Sequence, residues 1–350
     1  MYKRQGRPGP IVIDVPKDTT DPFEKFPYEY PASVTMRSYN PPAEGDQGQI
    51  DRAVDALLAA KKPVLYIGGG VILASAWEHL RGLAKALGAP VTSTLMGLGA
   101  FPGTDPLSLG MLGMHGTYEA NMAIDGADLV VALGARFDDR VTNNPAKFAP
   151  KATIIHMDVD AASINKIIDA DIPLNGDGAW ILEQLARGVL DALGKQDQAA
   201  AQERDAALQS WWQQVNEWRE ANGLNHNLRP QADKPILPQL AIQSLYKVTQ
   251  GDAFVTSDVG QHQMFAARYY HFDEPRRWIN SGGLGTMGFG LPSAMGVQMG
   301  NPEATVVCVT GEGSFMMNMQ ELSTCLQYGL PIKIINLNNQ LELILHFSYC

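Results

Sequence analysis

Val306-Val-Cys-Val-Thr-Gly-Glu-Gly-Ser314 and Ile332-Lys-Ile-Ile-Asn-Leu-Asn-Asn-Gln340 are two β-branched runs that both end in polar residues. Between them, Phe315–Tyr328 puts Phe315, Met319, Leu322 and Leu326 on one helical face. Strand, helix and strand make a βαβ unit, whose crossover sets the two strand ends side by side on one sheet edge. Glu312 and Asn339 therefore converge, although a helix and a strand separate them. Gly311 and Gly313 let backbone amides approach a ligand, and Ser314 opens a helix whose N-terminus favours an anion. A carboxylate and an amide oxygen at such a point form half a site for Mg²⁺, which completes its shell with phosphate oxygens and water. Taken alone, the Gly-Glu-Gly step reads as a plain βα turn, because short glycine motifs recur by chance.

Outward from this unit the same alternation repeats. Upstream stand a helix at Leu237–Lys247, a strand at Ala253–Ser257, a helix after His262, a glycine loop at Ser281–Gly288, and a helix at Phe289–Met299. Trp278 to Pro302 reads as loop plus short helix. Earlier still come a helix at Ile50–Ala60, a strand at Pro63–Ile67, and Gly68-Gly69-Gly70 with a helix running to Leu87. Strands follow at Val91–Leu95, Leu129–Leu133 and Thr153–Val159. Strand–helix alternation predicts parallel sheets covered on both faces, in an α/β fold of three α/β/α layers. Residues 49–193 form a central domain and 235–350 a second one. The 194–234 stretch is a helical linker whose Trp211, Trp212 and Trp218 pack on a neighbour. Residues 16–48, rich in Pro, Asp and Tyr, are a linker, and Pro10–Val15 reads as the last strand of a truncated domain, residues 1–15.

The chain has 350 residues and a net charge of −10, with no Lys/Arg block, which argues against nucleic acid or an anionic membrane as partner. Three cysteines without CxxC spacing leave no disulfide framework or structural zinc site, and point to a reducing cytoplasm. Neither a membrane span nor a signal peptide is apparent.

The Gly311-Glu312-Gly313 and Asn338-Asn339 pair resembles the diphosphate-binding motif of thiamine-diphosphate enzymes. The resemblance extends to Val259-Gly-Gln-His-Gln-Met264, Ser281-Gly-Gly-Leu-Gly-Thr-Met-Gly-Phe-Gly-Leu-Pro292 and Met319-Gln-Glu-Leu-Ser323. Together these look like the large, catalytic subunit of acetohydroxyacid (acetolactate) synthase. Gly110–Asn121, Gly134-Ala-Arg-Phe-Asp-Asp-Arg-Val-Thr142 and Asp158-Val-Asp160 are similar to its FAD-binding segments. The resemblance implies a Rossmann-like central domain followed by a thiamine-diphosphate-binding domain. It implies Glu312, Asn339 and the backbone carbonyl of Leu341 as Mg²⁺ ligands. Gly260, Gln261, His262, Gly313 and Ser314 would meet the diphosphate. Gly285 would offer its carbonyl to the aminopyrimidine, and Met287 would hold the cofactor bent. FAD, without a net redox role, would lie along His115, Gly116, Thr117 and Arg136, and along Asp158 to Asp177, with Arg37 at its phosphates. Arg140 would pair with a 2-oxo acid carboxylate. Read without the resemblance, His115 is as readily a loop histidine, and Arg136 and Arg140 pair with Asp138 and Asp139 on the surface. Gly68-Gly69-Gly70 fails the dinucleotide fingerprint, since residue 73 is not glycine.

The implied reaction is decarboxylation of pyruvate and ligation to a second pyruvate or to 2-oxobutanoate, in branched-chain amino-acid synthesis. The implied assembly is a homodimer or tetramer, with a small regulatory subunit as a further partner. A related carboligase, such as glyoxylate carboligase, and a non-catalytic FAD- or nucleotide-binding module are the alternatives; Arg136–Thr142 favours the synthase. Three departures stand out. The family's activating glutamate has no counterpart here, the stretches Met1–Gln5 and Leu341–Cys350 do not match the family, and Glu312 replaces the usual Asp. The chain is therefore expected to be a fragment, inactive alone.

Overall fold

The computed structural model describes residues 12–30, 32, 42–224 and 228–339. Arg37, Leu341 and the tail beyond it lie outside the described residues. One sheet holds β1 (Pro63–Ile67), β2 (Val91–Ser93), β3 (Ser108–Met111), β4 (Leu129–Leu133), β5 (Thr153–Asp158) and β6 (Ile172–Asn175), in the order β3-β2-β1-β4-β5-β6. The other holds β7 (Phe254–Ser257), β8 (Trp278–Asn280), β9 (Val306–Thr310) and β10 (Lys333–Asn336), in the order β10-β9-β7-β8. Every pairing is parallel. In such sheets ligands settle outside the carboxyl ends of the strands, where the strand order reverses. Those points are β1/β4 in the first sheet and β7/β9 in the second.

β1 and β4 are buried at every position, as central strands covered on both faces must be. Their alternate residues feed two cores. Leu65, Ile67, Val131 and Leu133 pack under the helices Gln47–Ala59, Trp77–Leu87 and Gly178–Lys195. Val64, Tyr66, Val130 and Ala132 pack under Tyr118–Gly126 and Gln198–Asn222. The last helix rests on the first sheet as its tryptophans predict. Trp211 Nε1 donates to the Pro63 carbonyl at 3.2 Å, Trp212 Nε1 to that of Gly88 at 2.8 Å, and Trp218 meets Trp211 edge-on. The second sheet is layered likewise: Val255, Val307 and Val309 face Ile242 and Ala266, while Val306 and Cys308 face Leu291 and Ala294.

Several local expectations change. The helix after Gly70 is two, Gly69–Leu73 and Trp77–Leu87, broken where Ser75 takes a positive φ. The helix expected over Phe315–Tyr328 is Glu312–Asn318, a 3₁₀ turn at Met319–Glu321, and Leu322–Gln327. Its anticipated apolar face is largely open: Met319, Leu322 and Leu326 are exposed, Leu326 at 84%. β8 lies inside the stretch read as loop plus short helix. Residues 12–15 join neither sheet, and Val12, Ile13 and Val15 are exposed, so the strand expected there does not form among the described residues.

Candidate functional site

β7 runs out at Ser257 into Asp258-Val259-Gly260, and Gly260, at φ 153°, starts the helix Gln261–Tyr269. β9 runs out at Thr310, and Gly311 starts the helix Glu312–Asn318. The ladder continues past β10 as Leu337 N–H donates to the Thr310 carbonyl at 2.8 Å, which brings Asn339 to the same edge. A cavity of about 270 Å³ opens at this β7/β9 reversal, lined by Gln261, His262, Met287, Glu312, Ser314 and Asn339 among others. The convergence of Glu312 and Asn339 expected from the βαβ rule is therefore present. Gly313 also lines the cavity. Gly260 sits at its rim through Val259 and Gln261, and Gly285 holds a left-handed φ of 68° facing Val259.

Asn339 Nδ2 donates to Gln261 Oε1 at 3.3 Å, which ties the end of this segment to the start of the Gln261–Tyr269 helix. His262 is buried, and its Nε2 has no partner among the described residues. Burial pushes its pKa down, against the opposing pull of Asp258 and Glu312, so the ring is neutral near pH 7. Ser314 is buried and its hydroxyl donates to the Val259 carbonyl at 3.3 Å, tying the two turns together. Gly311 also has a packing duty. A Cβ at Gly311 would lie 2.7 Å from His262 Nδ1, so that glycine makes room for the imidazole; a Cβ at Gly313 would meet Met287 Cε at an ordinary 3.7 Å.

Asp258 is a site residue that the motif reading missed. Its carboxylate is 1% exposed and accepts from Gly290 N–H at 2.7 Å and from the Thr310 hydroxyl at 2.6 Å. No local pattern marks it, since both partners come from distant segments.

In the first sheet, His115, Gly116 and Thr117 follow β3, Arg136 follows β4, and Asp177 follows β6, while Asp158 ends β5. All six stand along the carboxyl edge. Several are already engaged. Thr117 caps Tyr118–Gly126 by accepting from Ala120 N–H and donates its hydroxyl to the Leu109 carbonyl. Asp177 caps Gly178–Lys195 through Ala179 and Trp180. Asp158 accepts from Asp160 N–H, and Gly116 fits where a Cβ would lie 2.4 Å from the Met111 carbonyl. Arg136 is ion-paired with Asp138 at 2.7 Å. Arg140 is exposed, its Nη1 3.9 Å from Met114 Sδ, while its backbone N–H contacts Asp138 and Asp139. Burial, followed by the nearby Arg140 and Arg268 charges, lowers the pKa of His115. Gly68 and Gly70 donate their amides to Leu133 and Gly134 carbonyls, so these amides close β1 onto β4 and are not open to a phosphate.

Residues 50–185 match the family model of the thiamine pyrophosphate enzyme central domain, and residues 258–343 match that of the C-terminal TPP binding domain. The chain belongs to the thiamine pyrophosphate enzymes. It is similar to the acetolactate synthase isozyme 3 large subunit of Escherichia coli, 56% identical over 96% of this chain and 57% of that protein. The acetolactate synthase large subunit of Haemophilus influenzae is 53% identical over 95% of this chain and 56% of its own length. Acetolactate synthase 1, chloroplastic, of Nicotiana tabacum is 44% identical over 96% and 49%. The chain thus spans about half the length of the curated relatives it matches.

The donor set at β7/β9 fits what a thiamine pyrophosphate enzyme holds there. Among the described residues no three His, Cys, Asp or Glu side chains cluster to cage a cation by themselves. One carboxylate and one amide oxygen suit Mg²⁺, which takes its other ligands from phosphate and water. The buried His262 Nε2, without a partner among the described residues, is a further polar atom at the cavity that a bound ligand or its water can satisfy.

Proposed function

We propose that this chain carries the central and cofactor-binding domains of an acetolactate synthase, with domain limits near 49–193 and 235–350. The enzyme would decarboxylate pyruvate and join it to a second pyruvate or to 2-oxobutanoate, in branched-chain amino-acid synthesis. The observation that supports this best is the single cavity onto which Gln261, His262, Glu312 and Asn339 converge, in a chain 56% identical to a named acetolactate synthase subunit.

Bound thiamine diphosphate supplies the electron sink for decarboxylation. Glu312 and the Asn339 oxygen hold Mg²⁺, joined by the carbonyl of Leu341. Gly260, Gln261, His262, Gly313 and Ser314 take the diphosphate. Gly285 would offer its carbonyl to the aminopyrimidine ring, and Met287, which stands beside Gly313, would hold the cofactor bent. Arg140 takes the carboxylate of a 2-oxo acid, a task its planar guanidinium performs with two parallel bonds. FAD lies along the carboxyl edge of the first sheet, near His115, Gly116, Thr117, Arg136, Asp158 and Asp177, with Arg37 at its phosphates. The assembly is a homodimer or tetramer, joined by a regulatory subunit, in the cytoplasm. No helix among the described residues is long and apolar enough to cross a membrane.

Glu312 gives the test. Its extra methylene relative to Asp reaches outward by roughly 1–1.5 Å, while Mg²⁺ holds its oxygens at about 2.0–2.1 Å, so the rotamer or a bridging water must absorb the difference. Glu312→Gln should raise the Mg²⁺ concentration needed for thiamine-diphosphate binding by about tenfold or more, with FAD binding intact, and Glu312→Asp should be well tolerated. Superimposable Mg²⁺ titrations for the three proteins would remove Glu312 from the metal site.

A further inference from the structure

The Asp258 carboxylate accepts two short hydrogen bonds, from Gly290 N–H at 2.7 Å and from the Thr310 hydroxyl at 2.6 Å. These belong to three segments that are far apart in sequence. Asp258 follows β7, Thr310 ends β9, and Gly290 opens the helix Gly290–Gly300. We propose that Asp258 is a positioning residue that fixes, through this one buried carboxylate, the three turns that build the β7/β9 cavity.

Gly290 is held from both sides. Its N–H goes to Asp258, and its carbonyl accepts the Thr256 hydroxyl at 2.9 Å. A Cβ at 290 would lie 2.7 Å from Asp258 Oδ2, so only glycine lets the backbone come this close. Three residues earlier stands Met287, which lines the cavity, and between them the Gly288 carbonyl accepts from Asn318 Nδ2. The loop carrying Gly285 and Met287 is therefore pinned at its far end by Asp258. On the other side, Thr310 precedes the Gly311–Ser314 turn, and Asp258 itself precedes Val259–His262. Loss of the carboxylate leaves the turns held only by the weaker neutral bonds of Ser314 to Val259, Thr256 to Gly290 and Asn318 to Gly288, and a displacement of about 1 Å at a site of this kind costs on the order of 10²-fold in rate. Groups that orient metal ligands from behind typically cost 10–100-fold in affinity when removed.

This inference rests on the thiamine-diphosphate reading for its binding arm, so the experiment has a second arm that needs no cofactor. Using the full 350-residue chain, Asp258→Asn, which keeps the shape but replaces two charged acceptors with one weaker neutral acceptor and an amide donor, and so weakens both bonds, is compared with Thr310→Val, which removes a single donor. Hydrogen exchange without cofactor should speed at least tenfold across 286–291 and 311–314 in Asp258→Asn, with β1 and β4 amides unchanged. Thr310→Val should loosen 311–314 and leave Gly290 protected. Thiamine-diphosphate titration at fixed Mg²⁺, followed by quenching of tryptophan fluorescence, should need about tenfold more cofactor for Asp258→Asn. Exchange rates unchanged at those segments would overturn the proposal. So would exchange that rises everywhere while the folded fraction binds cofactor as before, since that is general destabilisation. If Asp258→Asn does not fold, Thr310→Val decides: unchanged exchange at 311–314 refutes the tie. If the parent chain itself binds no thiamine diphosphate, the cofactor reading fails, and the exchange arm still tests Asp258 alone.

Discussion

Gly68→Ala and Gly82→Ala make the same chemical change and should move stability in opposite directions. Gly68 has an ordinary extended backbone, φ −119° and ψ −179°, so conformational strain does not enter. Space does. A Cβ at 68 would lie 2.2 Å from the Gly134 carbonyl oxygen and 2.7 Å from Ala135 Cα. Both obstacles are backbone, so the turns after β1 and β4 must separate by about 1 Å to reach ordinary contact. Those turns are joined by Gly68 N–H to the Leu133 carbonyl, 2.9 Å, and Gly70 N–H to the Gly134 carbonyl, 3.0 Å. Overpacking costs about 1–3 kcal/mol, and each buried hydrogen bond weakened adds about 1 kcal/mol. The total is about 3–5 kcal/mol, or a drop in Tm of about 6–20 °C at 2–4 °C per kcal/mol. Gly82, exposed within Trp77–Leu87, has nothing within 4 Å of its would-be Cβ. There alanine should gain about 0.5–1 kcal/mol from helix propensity and raise Tm slightly. Calorimetry on the two variants and the parent is the assay. A Gly68→Ala protein melting within about 2 °C of the parent would refute the view that this contact closes the first sheet.

Trp211→Phe should destabilise by roughly 1–3 kcal/mol, because it deletes the buried indole bond to Pro63 and trims the contact with Trp218; a urea midpoint that falls with unchanged slope would show it. Glu119 is buried, and burial raises its pKa in spite of Arg219 and Arg268. An acid whose folded pKa is raised favours folding most below its unfolded value near 4.3, and that contribution is lost as pH rises through the folded value. Glu119→Gln should therefore stabilise at pH 7 and lose its advantage below about pH 4; thermal melts across that range that run parallel for both proteins would contradict this.

The strands that the sequence itself makes legible are the long apolar ones. β1, β4, β5, β7 and β9 contain runs such as PVLYI, LVVAL and VVCVT, and a strand buried on both faces can be composed of little else. The nearness of Glu312 and Asn339 was also legible, because a βαβ crossover has one hand and local rules suffice. The strands left unread, β3, β6 and β8, are all sheet edges of three or four residues. Gly110 interrupts β3, and Pro173 sits in β6, where an edge tolerates a residue without an N–H. The helix expected over 315–328 broke at Asn318, whose side chain is spent on the Gly288 carbonyl across the site. Gly68 and Asp258 carry no local signal: one is a glycine in a glycine run, the other an Asp between Ser257 and Val259. Their roles come from Gly134, Gly290 and Thr310, partners 32 to 66 residues away in the chain. Periodicity records how much of each segment is buried, because burial acts residue by residue. Which polar group meets which depends on the order of strands, and that order is settled only when the whole sheet packs.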